Sequence, residues 1–387
     1  MYKTLKIRIK DKHSKFLLSL SKEVNFVWNY INELSYEHIR RKGKFLSSYE
    51  ISKFTTGSTK GKLGKDGLNI LAQSIQAIND EYVSCRNQTK RIKLSWRRSN
   101  KDSSKYSLGW IPFPFQAIKI VNGQIRYGSH FLSMWDSYGL SQYKDKIKSG
   151  CFSEDSRGRW YVCLAIKIHD KDTQEKVQLR TQSIKSHISS LSLEEVKAHP
   201  KYVGIDPGLK TFATLSNGKK FDTKKNYRDF EEKLGKAQRA GKTDRVRAIH
   251  AKIKNKRNDE LHKLSTQLVR DYEGIFIGDV NSSKLAKTWL AKSVLDKGWS
   301  MFRNMLEYKC EHAGMFYQKT NESFTTQTCS HCGSMSNSPK GRADLGIRVW
   351  SCNCGATLDR DVNSATNILA VGHGRLVEGI SCCQKQE

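Results

Sequence analysis

Tyr202-Val203-Gly204-Ile205-Asp206-Pro207-Gly208-Leu209-Lys210-Thr211-Phe212-Ala213-Thr214 runs from an apolar stretch into an acid, turns at Pro207-Gly208 and returns in a second apolar stretch. The pattern predicts a buried strand, a tight turn and an antiparallel return strand. A lone aspartate at such a junction is most often a turn residue. With a buried strand on each side, Asp206 instead sits at a sheet end, where a carboxylate can face a metal ion.

Further along, Gly274 to Val280 predicts another buried strand. A helix from about Ala291 to Ala313 leads to a strand at Met315 to Thr320, and a last helix begins near Val362 and ends at Gly372. A strand–helix–strand unit after an opening hairpin implies an α/β sheet, and the hairpin with Asp206 at its turn is similar to the first hairpin of an RNase H fold, which offers a carboxylate to a metal. Asp361 falls where the last helix starts, so it is an N-cap or a metal-facing acid. Asp359 lies two positions earlier, and only one of the two can easily face a metal.

Upstream the pattern changes. Lys3 to Lys10 alternates apolar and basic residues, as a half-buried strand does. Phe16, Leu17, Leu20, Val24, Val27, Trp28, Ile31 and Leu34 fall near helical spacing, as do Leu68, Ile70, Leu71, Ile75, Ile78, Tyr82 and Val83. Between them Gly57 to Gly67 is a Lys/Gly-rich loop. From Trp110 strands return: Ala117 to Val121 and Gln124 to Tyr127 flank Asn122-Gly123, a favoured two-residue turn. Cys151 to Asp155 and Trp160 to Ile168 form a second hairpin. The N-terminal strand and these hairpins can close a small barrel around a helical insertion.

Of 387 residues, 68 are Lys or Arg and 38 are acidic, giving a formal charge of +30. Solubility needs far less charge, so a polyanionic partner is expected. No apolar run is long enough for a membrane span, and Met1 to Lys10 does not read as a signal peptide. Ten cysteines are too few for a disulfide scaffold. A reducing, cytoplasmic setting is expected, with the chain on the nucleoid when bound to DNA. Cys329-x-x-Cys332 and Cys352-x-Cys354 form two thiolate pairs about 20 residues apart, a spacing that suits one structural Zn2+. The second pair is one residue tighter than a standard knuckle, and His331 is a lesser alternative ligand.

Gly204-Ile205-Asp206-Pro207-Gly208 resembles the first RuvC motif of the TnpB (OrfB) family of transposon-encoded RNA-guided nucleases, relatives of the CRISPR type V effectors. Asn25-Phe26-Val27-Trp28-Asn29 resembles the family's N-terminal helical signature, and Trp110-Ile111-Pro112-Phe113 its wedge barrel. Cys329-Ser330-His331-Cys332-Gly333 resembles its zinc ribbon. Asp359-Arg360-Asp361-Val362-Asn363-Ser364-Ala365-Thr366-Asn367-Ile368 resembles its third RuvC motif, whose catalytic position is Asp361. The resemblance implies a wedge β-barrel at 1–13 and 105–172 and a helical recognition insertion at 14–104. A linker at 173–200 follows. A RuvC-like nuclease domain at 201–324 and 356–375 would hold an inserted zinc ribbon at 325–355, with a tail at 376–387. It also implies guide RNA and double-stranded target DNA as partners, two Mg2+ ions, and cleavage beside a short recognised motif. A monomer is expected.

One departure matters. The family's second RuvC motif ends a strand with Glu followed by Asp; here Ile277-Gly278-Asp279 puts glycine at the glutamate position. Asp279 is no ready substitute, since neighbours on a strand point to opposite faces. A two-metal site needs its carboxylates. Glu322 closes the next strand, which a right-handed crossover places parallel to Gly274–Val280, so its side chain can reach the space left at 278. Asp206, Glu322 and Asp361 are therefore the expected catalytic and magnesium-binding residues. The other reading is a nuclease-inactive, RNA-guided DNA-binding repressor. A strand-joining transposase lacks support, because no tyrosine motif stands beside paired metal-binding histidines.

For nucleic acid, Lys90, Arg91, Lys93, Trp96 and Arg97 mix basic and aromatic side chains, as backbone contact plus base stacking requires. Arg239, Arg245, Arg247, Lys256 and Arg257 belong to a long one-signed stretch that suits a phosphate backbone.

Overall fold

A computed structural model describes residues 1–63, 66–224, 226–280, 297–335, 339 and 343–374. The tail, Cys382, Cys383 and residues 291–296 of the expected helix lie outside these. Two compact units divide the chain, Met1–Asp170 and Lys171–Glu387. Among the described residues no helix is long and apolar enough to cross a membrane.

The first unit begins with β1 (Tyr2–Ile9), whose alternating Leu5, Ile7 and Ile9 are buried. Four helices follow: α1 (Ser14–Lys42), α2 (Ser48–Thr55), the single turn α3 (Lys60–Leu63) and α4 (Ala72–Thr89). The stripe read as starting at Leu68 becomes helical only at Ala72. Seven strands come next: β2 (Trp110–Pro114), β3 (Ile118–Val121), β4 (Gln124–Tyr127), β5 (His130–Leu132), β6 (Met134–Trp135), β7 (Ile147–Glu154) and β8 (Trp160–Lys167). The strands expected to close a barrel form a five-stranded sheet, β2-β7-β8-β1-β6, and a separate three-stranded sheet, β3-β4-β5. Asn122 and Gly123 both take positive φ at the β3–β4 turn, as expected.

Three asparagines on one face of α1 bind an extended segment edge-on. Asn32 donates to Leu94 O (2.8 Å) and accepts from Leu94 N (2.9 Å). Asn29 does the same for Arg97, at 2.9 Å each way. Asn25 donates to Ser99 Oγ and accepts from Arg97 Nε at 2.6 Å. The amides of Asn29 and Asn32 satisfy backbone groups that no strand partner reaches, and Asn25 fixes two side chains of the same segment.

The second unit opens with α5 (Lys171–Ser190) and α6 (Leu193–Ala198), which corrects the linker at 173–200. Ile184, Ile188 and Val196 bury against Tyr202, Phe276, Ile368 and Leu369. These anchors are too sparse in a polar stretch to show helical periodicity. Next come β9 (Tyr202–Pro207), β10 (Ala213–Leu215), β11 (Lys220–Phe221), α7 (Arg228–Arg239), α8 (Thr243–Asp271) and β12 (Gly274–Gly278). After them come α9 (Trp299–Ala313), β13 (Phe316–Thr320), the hairpin β14 (Val349–Ser351) and β15 (Thr357–Asp359), and α10 (Arg360–Gly372). The sheet order is β11-β10-β9-β12-β13. β9 to β11 pair antiparallel, while β12 runs parallel to both β9 and β13. Helix α10 lies so close to β9 that a Cβ on Gly204 would fall 2.0 Å from Ala365 O, so only glycine fits there.

Candidate active site

Strand β9 delivers Asp206 one residue before its end, paired with Thr214 of β10. The register of β12 with β13 sets Gly278 opposite Thr320, so Glu322 emerges two residues past the point where β12 stops. At the start of α10, Asp359 is the N-cap, accepting from Asp361 N and Val362 N at 3.1 Å each and from Lys220 Nζ at 2.7 Å. With Asp359 used this way, Asp361 is the acid of the pair that faces the cleft.

Asp206, Glu322 and Asp361 line one cleft of about 330 Å3, together with Lys210, Thr211, Trp299 and Arg348. Loss of water, then the charges of Glu322 and Asp361, push the Asp206 carboxyl up to about 7; the Ser364 hydroxyl bonded to it and the nearby Arg360 act the other way. Burial, then the charge of Asp279, raises Glu322 to about 7, against the pull of Arg303. Asp361 pairs with Arg348 Nη1 at 3.3 Å. Such crowding of like charges is held only by protons or cations.

Gly278 explains how Glu322 gets in. A Cβ built on Gly278 would lie 2.9 Å from Glu322 Oε2, 3.2 Å from Ile368 Cδ1 and 3.3 Å from Pro207 Cδ. The Glu322 carboxylate thus occupies the space a side chain at 278 would fill. Asp279 is exposed and is not among the residues lining the cleft.

The four sulfurs of Cys329, Cys332, Cys352 and Cys354 lie within 4.8 Å of one another. Pairs Cys332–Cys352 and Cys329–Cys354 stand 3.6 and 3.9 Å apart. A tetrahedron of Zn–S bonds of about 2.3 Å has edges of about 3.8 Å, so the donor set fits a structural zinc. The tight Cys352-Asn353-Cys354 spacing does not prevent this, and His331 is not in the cluster.

The expected nucleic-acid residues divide. Lys90, Arg91 and Trp96 are exposed, Trp96 by 52%. Lys93 pairs with Glu33 at 2.6 Å. Arg97 corrects the expectation: it bonds Asn25 and Leu108 O and lies over Trp28 and Trp110, so it holds the fold together. Alternation along the segment that α1 grips turns Arg97 inward and Arg98 outward. Arg98, the last residue of that basic and aromatic run, is exposed and lines a pocket with Trp96. On α7 and α8, Arg239, Arg245, Arg247 and Lys256 are exposed, whereas Arg257 is half-buried against Gly298. Lys252 and Lys256 flank the Phe230 ring at 5.4 and 5.2 Å.

Residues 174–288 match a family model described as a probable transposase of the OrfB type, and residues 299–368 match a Cas12f1-like TNB domain. A putative RNA-guided DNA endonuclease of Streptomyces pristinaespiralis is 36% identical over 234 residues, 57% of this chain and 52% of that one. The putative RNA-guided DNA endonuclease InsQ of Escherichia coli (strain K12) is 30% identical over 340 residues, 80% of this chain and 75% of the relative. A TnpB-like protein of Acanthamoeba polyphaga mimivirus is 29% identical over 198 residues, 44% of this chain and 37% of the relative. The chain spans about half the length of the first of these relatives and three quarters of the second. These matches define a transposon-associated protein of the OrfB class. The chain belongs to the TnpB/OrfB family.

Proposed function

We propose that this chain is an RNA-guided, metal-dependent DNA endonuclease whose RuvC-like RNase H domain is the second unit. The observation that carries the reading is the Glu322 carboxylate lodged in the space at Gly278. Without it, Asp206 and Asp361 would be two-thirds of a site.

The donor set fits hard cations: three carboxylates meet in one cleft, two of them pushed up to about 7 in the absence of metal. Asp206, Glu322 and Asp361 would hold two Mg2+ ions. When bound, the pair activates water and stabilises the leaving oxygen in phosphodiester hydrolysis. The chain's own residues prepare that chemistry. Ser364 bonds Asp206 and is itself 3.0 Å from Thr325 Oγ1, which fixes the carboxylate's orientation. Arg348 neutralises Asp361 until a cation or a phosphate competes for either partner. Lys210, exposed on the cleft rim, suits an incoming phosphate. The thiolate cluster would keep its zinc as a structural centre, since four ligands leave no open position. By family resemblance the first unit would be the wedge and recognition part, holding guide RNA and the guide–target duplex, with base pairing reading the target and the protein reading the adjacent motif.

Gly278 also favours a second reading, guided DNA binding without cleavage. Purified chain with its co-purified RNA, a matching target and Mg2+ separates the two, with cleavage and DNA binding measured on the same samples. Cleavage is expected, and Glu322→Ala should abolish it while DNA binding persists. Normal cutting by that variant removes Glu322 from the site; no cutting by the unmodified chain favours the repressor.

A further inference from the structure

A glutamate within a strand is held by the strand. Glu322 lies beyond the end of β13, in the turn that leads toward the thiolate cluster. That turn is strained: Phe324 takes a φ of 62°, a left-handed conformation that an aromatic residue rarely adopts. Such backbone persists only where its surroundings hold it in place. The bonds from Gln327 N and Thr328 N to Phe324 O, at 2.9 and 3.0 Å, close the turn on itself and tie it to nothing else.

Helix α10 supplies the hold. Asn363 and Asn367 stand one turn apart on it, so they share a face, and both are buried. Both aim their amide nitrogens at the same two carbonyls. Asn367 Nδ2 donates to Thr325 O at 2.8 Å and to Thr328 O at 2.6 Å. Asn363 Nδ2 donates to the same two oxygens at 3.3 and 2.8 Å, and its Oδ1 accepts from Ser330 N at 2.8 Å. Each carbonyl therefore accepts two N–H groups, its full capacity. Thr325 carries the hold on to the acid: its N and Oγ1 donate to Glu322 O at 3.2 and 2.8 Å. An unbroken chain of hydrogen bonds thus joins the backbone of Glu322 to the helix whose first turn presents Asp361.

We propose that Asn363 and Asn367 are positioning residues: they clamp the strained turn after β13 onto α10 and so hold Glu322 in register with Asp361 on the same helix. The proposal rests on the reading that Glu322 replaces the missing glutamate. A clamp that only stabilised the fold would behave differently. Its loss would lower the melting temperature and leave the metal affinity of the folded chain unchanged. Loss of a clamp that places a ligand weakens metal binding while the chain is still folded.

The measurement is Mn2+ affinity of the full chain by electron paramagnetic resonance, well below a melting temperature recorded on the same samples, with target cleavage beside it. Loss of a group that orients a metal ligand typically weakens binding by about 10–100-fold, and that loss is expected for Asn367→Leu, which keeps the branched shape without the donors. Thr325→Val, which removes the hydroxyl bonded to Glu322 O, should also bind Mn2+ more weakly, and Thr325→Ser should recover most of the affinity. If Asn367→Leu does not fold, the two Thr325 variants decide. Because the clamp acts through Glu322, Asn367→Leu combined with Glu322→Ala should lose no more affinity than Glu322→Ala alone. Unchanged Mn2+ affinity in the folded variants overturns the proposal, as do losses that multiply in the double variant. If Glu322→Ala binds Mn2+ and cuts like the unmodified chain, the relocation reading fails and takes the clamp with it. If Glu322→Ala loses both while the clamp variants lose neither, only the clamp fails.

Discussion

Replacing Gly278 with alanine adds one methyl group, at the place where the structure has least room for it. The new Cβ would sit 2.9 Å from Glu322 Oε2, and ordinary contact begins at 3.4 Å. Ile368 Cδ1 and Pro207 Cδ, at 3.2 and 3.3 Å, close off the other directions. The carboxylate is the flexible party, so it retreats by about half an ångström while the packed core stays in place. Stability should change little. Overpacking costs about 1–3 kcal/mol when nothing can move, but here a side-chain end can move, and alanine is favoured over glycine in a strand by about 0.5–1 kcal/mol. Catalysis is less forgiving: a misplacement of about 1 Å can cost ~100-fold, so half that shift should cost about tenfold. Single-turnover cleavage with saturating guide RNA and Mg2+ reads the loss, and a filter-binding assay on the same target should show DNA affinity unchanged. Adding Gly278→Ala to Glu322→Ala should make cleavage no worse. Cleavage by Gly278→Ala at the unmodified rate would falsify the claim that Glu322 works from the space beside Gly278.

Other parts of the structure set further outcomes. Asp206 is raised from 3.8, and Glu322 from 4.5, to about 7, so both hold protons in the metal-free fold that the unfolded chain has released. Stability is therefore full below about pH 4 and is lost as pH rises through 7, by up to about 4 kcal/mol for Asp206 before solvent screening. Melting curves between pH 5 and 8 should fall without Mg2+ and flatten with it; a flat metal-free profile contradicts the crowding. Cys352→Ser, or a strong zinc chelator, should unravel the thiolate hairpin and abolish zinc retention measured by atomic absorption, while four retained thiols that bind no zinc would exclude the metal. Asn32→Ala leaves Leu94 N and O without partners and should cost about 2–3 kcal/mol in denaturant melts. Arg97→Ala should likewise lower stability more than RNA affinity, and Trp96→Ala the reverse.

Much of the second unit was legible because its strands are short, apolar and followed by acids at their ends. Asp206 is placed by the hairpin pattern alone, and the β12–α9–β13 crossover by connection handedness. The thiolate pairs were equally readable, since metal ligands must be close in space and knuckles keep them close in sequence. What failed had a common cause. The helices at 171–198 bury only Ile184, Ile188 and Val196 among polar residues, so their period is too thin to read. Arg97 looked like its basic neighbours, because a composition window cannot show that an extended segment turns this one side chain inward onto Asn25 and the Trp28 and Trp110 rings. Six strands of the first unit are legible locally and the short β5 and β6 are not, while the division into two sheets depends on long-range pairing that no local pattern encodes.

The position at 278 shows why one missing acid is weak evidence for a dead enzyme. What a metal site requires is a carboxylate oxygen at a point in space, and two neighbouring parallel strands end at nearly the same point. A glutamate on β12 and a glutamate just past β13 can therefore serve one cation from different backbones, provided only one is present. Glycine at 278 is what the second arrangement demands, because any side chain there meets Glu322. An inactive remnant would drift at both positions without correlation. Here the vacated position carries the smallest residue, the neighbouring strand end supplies an acid aimed into the gap, and α9 brings an arginine to the same turn of chain. The space at Gly278 and the acid lodged in it agree on the location of one carboxylate, as the proposed metal site requires.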